Sequence, residues 1–236
     1  MQKFKKFKGV PAQDYFSGFT SVKKFKQVAS FLEEKTLYTG NFSGKLNTTV
    51  KNSSFGFHGK AKGELNFCFE GKCMVKRFFK IPKNETLKLT YVSNNSDSVI
   101  EDYVYMSENS KLDYIGKFIC EKNNFKNFVK IIHEEPNAKS EVNIKGIVTS
   151  KSDIITSAEV LEDSKGSQVS LNSIIFLFDE GRVNALPELN VETPFSRVSH
   201  SFKKIRFTSE QLFYIESRGV KMDDIKNFQK RMLLGD

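Results

Sequence analysis

Val183-Asn184-Ala185-Leu186-Pro187-Glu188-Leu189-Asn190-Val191 places apolar side chains at every second position, with Asn184, Glu188 and Asn190 between them. Period two is the spacing of a strand with one buried face. Working outward, the same rhythm runs through Val142-Asn143-Ile144-Lys145-Gly146-Ile147-Val148 and Val169-Ser170-Leu171-Asn172-Ser173-Ile174-Ile175-Phe176-Leu177. It recurs earlier in Phe55-Gly56-Phe57, Leu65 to Phe69, Leu87 to Tyr91 and Tyr103-Val104-Tyr105. Gly, Asn and Ser punctuate these segments and no Gly/Ser-rich linker separates them, so one continuous β-body is expected over residues 41–206. No fixed-length repeat is legible, and alternation alone leaves solenoid, sandwich and barrel open.

Both flanks change period. Val22, Phe25, Val28, Phe31 and Leu32 recur at helical spacing, which predicts an amphipathic helix over Ser21–Lys35 within a basic N-terminal arm of residues 1–40. Residues 207–236 form a C-terminal helical segment. Thr208-Ser209-Glu210-Gln211 fits a capping box, and Gly219 suits the left-handed position that closes a helix. A second helix is predicted from about Met222 to Leu234, with Ile225, Phe228, Met232 and Leu233 as its apolar stripe.

Composition bounds the function. The 236 residues include 23 Phe and 7 Tyr, enough apolar area for one packed core although hydrophobic residues make up only 39%. No run of about 18 apolar residues suggests a membrane span, and the opening Met-Gln-Lys-Phe-Lys-Lys lacks the apolar stretch of a signal peptide; the expected location is the cytoplasm. The net charge of +9 is concentrated at the start, where residues 1–30 hold seven Lys against Asp14. A solvated arm accounts for those lysines, while a basic β-rich nucleic-acid-binding module, its rings stacking on bases, is the alternative.

Cys68, Cys73 and Cys120 are an odd count, which argues for reduced thiols. Glu70-Gly71-Lys72 reads as a hairpin turn that brings Cys68 and Cys73 together, but no second cysteine pair completes a zinc pattern. No Gly-x-x-x-x-Gly-Lys-Ser/Thr loop is present, so no nucleotide is expected to bind by that route.

Three strings carry a family resemblance: Val183 to Val191, Val198-Ser199-His200-Ser201, and Glu210-Gln211-Leu212-Phe213-Tyr214-Ile215-Glu216-Ser217-Arg218-Gly219-Val220. Their order and spacing resemble the C-terminal core of the SufB and SufD proteins of iron-sulfur cluster assembly. Asn143 to Val148 and Gly166 to Leu171 add a weaker match. The resemblance implies a mainly β protein, a right-handed parallel β-helix with short C-terminal helices. It also implies a non-catalytic scaffold that pairs with a SufB/SufD-type paralogue or a second copy of itself, and that docks a SufC-type ABC ATPase through its helical tail.

On the same resemblance, His200 aligns with a histidine at the subunit interface. It becomes the candidate ligand for an iron-sulfur cluster held transiently and shared between subunits. Where SufB carries a cluster-assembly cysteine, this chain reads Leu171-Asn172-Ser173-Ile174-Ile175, and Ser201 stands where SufB has Glu; both departures bring it closer to SufD. Cys68, Cys73 and Cys120 are fallback metal ligands, and Asp179, Glu180 and Glu188 are nearby carboxylates able to bind iron. His58 and His133 have no partner pattern and read as structural or surface residues. Leu212, Phe213, Tyr214, Arg218, Phe228 and Met232 are the candidates for the ATPase contact. A metal enzyme built on His200 lacks paired histidines, and a Ser199/His200 hydrolase lacks a nucleophile elbow.

Overall fold

A computed structural model describes residues 20–22, 36–94, 97–121 and 124–234. The alternating segments are strands, and every pairing among them is parallel. In chain order they are β1 (Thr20–Val22), β2 (Thr36–Thr39), β3 (Phe42–Lys51), β4 (Ser54–Glu70), β5 (Cys73–Ile81), β6 (Thr86–Asn94), β7 (Ser98–Met106), β8 (Lys111–Cys120), β9 (Asn124–His133), β10 (Lys139–Val148), β11 (Lys151–Val160), β12 (Gln168–Leu177), β13 (Arg182–Val191) and β14 (Arg197–Ile205). Helices α1 (Ser209–Ser217) and α2 (Met222–Leu234) follow.

Successive strands alternate between two walls. One wall runs β2, the first part of β4, then β5, β7, β9, β11 and β13; the other runs β3, the second part of β4, then β6, β8, β10, β12 and β14. The chain therefore coils as a parallel β-helix. The strands start ahead of residue 41, because β1 pairs with β2 and β2 with β4. Ser21 and Val22 lie in β1 rather than in the expected helix, and the rest of that helix falls outside the described residues.

The coil length drifts, which hid the repeat. Asn66 lies opposite Asn47 at a separation of 19 residues, Asp102 opposite Arg77 at 25, and Asn172 opposite Asn143 at 29. A recurrent corner marks the return to the second wall ahead of β6, β8, β10 and β12. Asn84, Asn109 and Asn137 adopt positive φ there, as does Gly166, each two residues before its strand. Asn tolerates this left-handed conformation better than other side-chain-bearing residues. The stacked corners bond to one another: Asn109 Nδ2 donates to Asn84 Oδ1 at 3.0 Å, and the Asn137 and Gly166 amides donate to Lys165 and Phe195 carbonyls.

Glu70-Gly71-Lys72 is likewise a corner between walls and not a hairpin turn. Gly71 has φ +72 and lies against Asn52, whose Oδ1 accepts from the Lys72 amide at 3.0 Å; a Cβ on Gly71 would sit 1.9 Å from that oxygen.

Inward-facing rings fill the coils. Phe57 stacks on Phe79 at 4.8 Å and Phe118 on Phe125 at 4.2 Å, while Phe55 touches both Tyr38 and Phe67. Each buried ring contributes roughly 1.5–3 kcal/mol. Among the described residues, many of the Phe and Tyr rings that suggested base stacking are core. On the outside of the first wall, Leu37, Phe78, Tyr105 and Ile132 form a second buried cluster, flanked by Tyr103. Outward apolar residues of this kind broke the alternation of β5 and β9.

Polar groups also enter the core. Arg77 and Asp102 are opposite one another, fully buried, and joined by two bonds of 2.7 Å, with the guanidinium 4.4 Å from the centre of the Phe67 ring. Tyr114 donates to Asp102 Oδ2 at 2.6 Å; burial first, then the Asp102 charge, push its phenol well above the ordinary range, so it remains a donor. His133, at the end of β9, is fully buried with Nε2 2.8 Å from Ser140 Oγ, and burial lowers its pKa to about 4.

Two predictions follow from these interior groups. Replacing Asp102 by Ala leaves Arg77 charged and unpaired in the core, and the variant should lose ~3–5 kcal/mol in urea unfolding. For His133 the unfolded imidazole takes up its proton near pH 6.5 and the folded one only near 4. Stability is fully present above pH 6.5, falls between those values, and by pH 4 has dropped by ~3 kcal/mol from this residue alone. His133→Gln should flatten that part of the stability profile.

Candidate functional site at the open end of the β-helix

Each internal strand bonds to a coil on either side, whereas β13 pairs only with β11 and β14 only with β12. The last coil therefore ends in two strand edges that no other described strand covers. Pro187 fits this position, since a proline without an N–H is tolerated on an edge strand. The inner face thins out here: Val183 is buried, while Ala185, Leu189, Val198 and Phe202 pack against the core only partly covered.

His200 sits between Val198 and Phe202 on this face of β14, opposite Leu171, which in turn stacks on Val142 and Tyr114. Its predecessors in that column are sealed, but His200 is exposed because no coil follows. Lys204, two positions beyond Phe202, holds its ammonium 5.6 Å from that ring. On the outer face of the strand, Ser201 Oγ donates to Asn172 Oδ1 at 2.9 Å.

The three cysteines are elsewhere. Cys73 points inward and its thiol donates to the Val50 and Glu70 carbonyls, both at 3.3 Å. Cys120 is buried at the end of β8 and donates to the Lys151 carbonyl at 3.3 Å. Burial pushes the Cys120 thiol up; burial and then the Glu70 charge do the same to Cys68, which is half-buried on the outer face of β4. Cys120 is three strands and six residues away from His200, on the order of 25 Å by strand spacing and rise. The structure does not bring His200 together with any of them. Among the described residues no group of three or more His, Cys, Asp or Glu side chains is placed to hold a metal ion. His58 lies half-buried on the outside of the first wall, against the Phe78 ring at 6.0 Å.

Of the three carboxylates near the site, Asp179 is already engaged. Lys226 of α2 donates to both its oxygens at 2.8 and 2.9 Å, and Arg206 donates to the Asp179 and Gly181 carbonyls. Glu180 and Glu188 are exposed. The Asp179–Lys226 contact, 47 residues apart in sequence, fastens the tail to the body, and Lys230 adds an ion pair with Glu121. Leu233 is buried against Ile119, Ile147 and Phe178, with Met222 and Ile225 beside it.

The helix stripe expected from sequence therefore divides. Ile225 and Leu233 pack on the body, but Phe228 and Met232 lie on another side and are exposed. In α1 the capping box is present, with Gln211 N donating to Thr208 Oγ1 at 3.2 Å and Gln211 Oε1 accepting from the Thr208 amide at 2.9 Å, and Gly219 takes φ +80. No residue of α1 is buried. Leu212 is half-covered, Phe213 is 75% exposed and Tyr214 60%, with the Arg218 guanidinium 5.3 Å from the Tyr214 ring.

No helix among the described residues is long and apolar enough to cross a membrane. Residues 73–228 match the model of one protein family, described as SUF system FeS cluster assembly, SufBD core domain. That span takes in the strands from β5 onward and most of the tail. No curated protein matches the chain.

Proposed function

Because the chain belongs to the SufB/SufD family of iron-sulfur cluster assembly proteins, we propose that it is a non-catalytic scaffold subunit whose helical tail docks a SufC-type ABC ATPase. The observation that carries this reading is the tail itself: fixed to the body by Leu233 and Lys226, it still offers Phe213, Tyr214, Phe228 and Met232 to solvent. Large exposed rings on an otherwise anchored element are the composition of a protein contact, and Arg218 beside Tyr214 adds a typical anchor. Leu212 lies at the inner margin of the same surface.

In this account the ATPase supplies the nucleotide chemistry, since this chain carries no phosphate-binding loop of its own. The open end of the β-helix supplies the second contact. β13 and β14 present unpaired edges to a SufB/SufD-type paralogue or a second copy of the chain, in the cytoplasm. His200 lies between those edges, and a neutral imidazole there contributes one nitrogen ligand to a cluster assembled at the seam as transient cargo. The remaining ligands come from the partner, as the cysteines of this chain are remote.

Two measurements test the reading. The purified chain should co-elute with its ATPase, and removing residues 208–236 should abolish the association. Because truncation can disturb the body, the variant Phe213→Ala/Phe228→Ala, checked for an unchanged Tm, should weaken binding by roughly 30-fold or more. Full retention of binding would refute the docking model. Anaerobic reconstitution with iron and sulfide in the assembled complex should yield less cluster absorbance for His200→Ala than for the parent.

A further inference from the structure

Outward cations are ion-paired in some places and not in others, and on the first wall Lys151 and Arg182, directly opposite one another, have no ion pair among the described residues. On the first wall Lys76, Lys80, Lys126 and Lys130 are each ion-paired, with Glu101, Glu134, Asp153 and Glu159. On the second wall, from β8 onward, Lys111, Lys117, Lys139, Lys145, Arg197 and Lys203 have no ion pair among the described residues. Lys139 lies directly opposite Lys111, and Lys145 opposite Lys117. Like charges one strand apart, about 4.8 Å, repel. Such an arrangement is stabilised when an anion lies across it.

One of these cation sets lines a cavity. A groove of about 350 Å³ crosses the starts of β8, β10, β12 and β14, and its rim carries Lys111, Lys139 and Arg197. They fall in a single register column, Lys111 opposite Lys139, Lys139 opposite Gln168, and Gln168 opposite Arg197. The left-handed corners at Asn109, Asn137 and Gly166, each two residues earlier, hold that column in line. Ser170 and Ser199 place hydroxyls in the same groove, 3.4 Å from one another. One acid, Glu141, also lines it, with Asp113 opposite Glu141 in the adjacent column, and Glu141 accepts from Asn143 Nδ2 at 2.8 Å.

We propose that this groove binds a phosphate-bearing anion that spans more than one of its cations. Lys111 and Lys139, one strand apart, contact neighbouring phosphoryl groups; Arg197, two strands further, takes another through its planar fork, with the serine hydroxyls as additional donors. The site faces outward from β14 and is separate from His200, which lies on the inward face of that strand.

The probe is inorganic tripolyphosphate, titrated calorimetrically into the full chain at low and at physiological salt, with vesicles of phosphatidylcholine and phosphatidylserine as a second arm. The expected result is binding of tripolyphosphate that weakens about tenfold for each of Lys139→Ala and Arg197→Ala. Lys145→Ala and Lys203→Ala, on the same wall but outside the groove, should leave it unchanged. Vesicle binding with the same dependence on Lys139 and Arg197, and none to tripolyphosphate, assigns the phosphate to a lipid headgroup. No binding in either arm, or equal losses in the groove and control variants, overturns the site.

Discussion

A strand in this protein obtains its backbone partners from the coil before it and the coil after it, and the series of coils has to stop. That constraint governs the rest of the molecule. Up to β12 each inward side chain is roofed by the next coil, so rings as large as Phe118 and Tyr91 and even an Arg77–Asp102 pair are sealed from water. At β13 and β14 the roof is missing. His200 continues a column of Leu171, Val142 and Tyr114, and it is polar where its predecessors are apolar or buried. A polar residue with ligand chemistry at the uncovered end of a core column is what the proposed seam between subunits would require.

The tail answers a different need. Its inner face closes the flank of the second wall through Leu233, Ile225 and the Asp179–Lys226 pair. Its outer face is left apolar. Anchoring and display are assigned to different residues of one short helix, so a partner can pull on Phe228 and Met232 while the load reaches the β-body through Lys226 and Leu233. In the proposed complex this would link the nucleotide-driven subunit mechanically to the open coil.

Much of this was legible in the sequence, for physical reasons that also mark where legibility ended. The strands at Leu87, Val142 and Val169 were readable because their outer faces are polar over their first halves and their inner faces mainly apolar. β5 and β9 were not, since Phe78 and Ile132 are buried on the outside as well. The capping box at Thr208 was readable because it is local. The coil repeat was hidden by its drift from 19 to 29 residues, although Asn109-Ser110-Lys111 and Asn137-Ala138-Lys139 carry the corner in plain form. The Asp179–Lys226 anchor and the Arg77–Asp102 pair join residues far apart in sequence, and no local pattern marks them. The engagement of Asp179 by Lys226, 47 residues on, was likewise out of view of any local pattern.

The central claim, that the last coil is an interface waiting for a partner, is tested most directly by hydrogen exchange at residues 182–205. Amides on the free edges of β13 and β14 should exchange quickly in the dilute chain and become protected once it is mixed with its SUF partners, while those of β8 and β10 stay protected throughout. Protection of β13 and β14 that does not change on assembly would contradict the account.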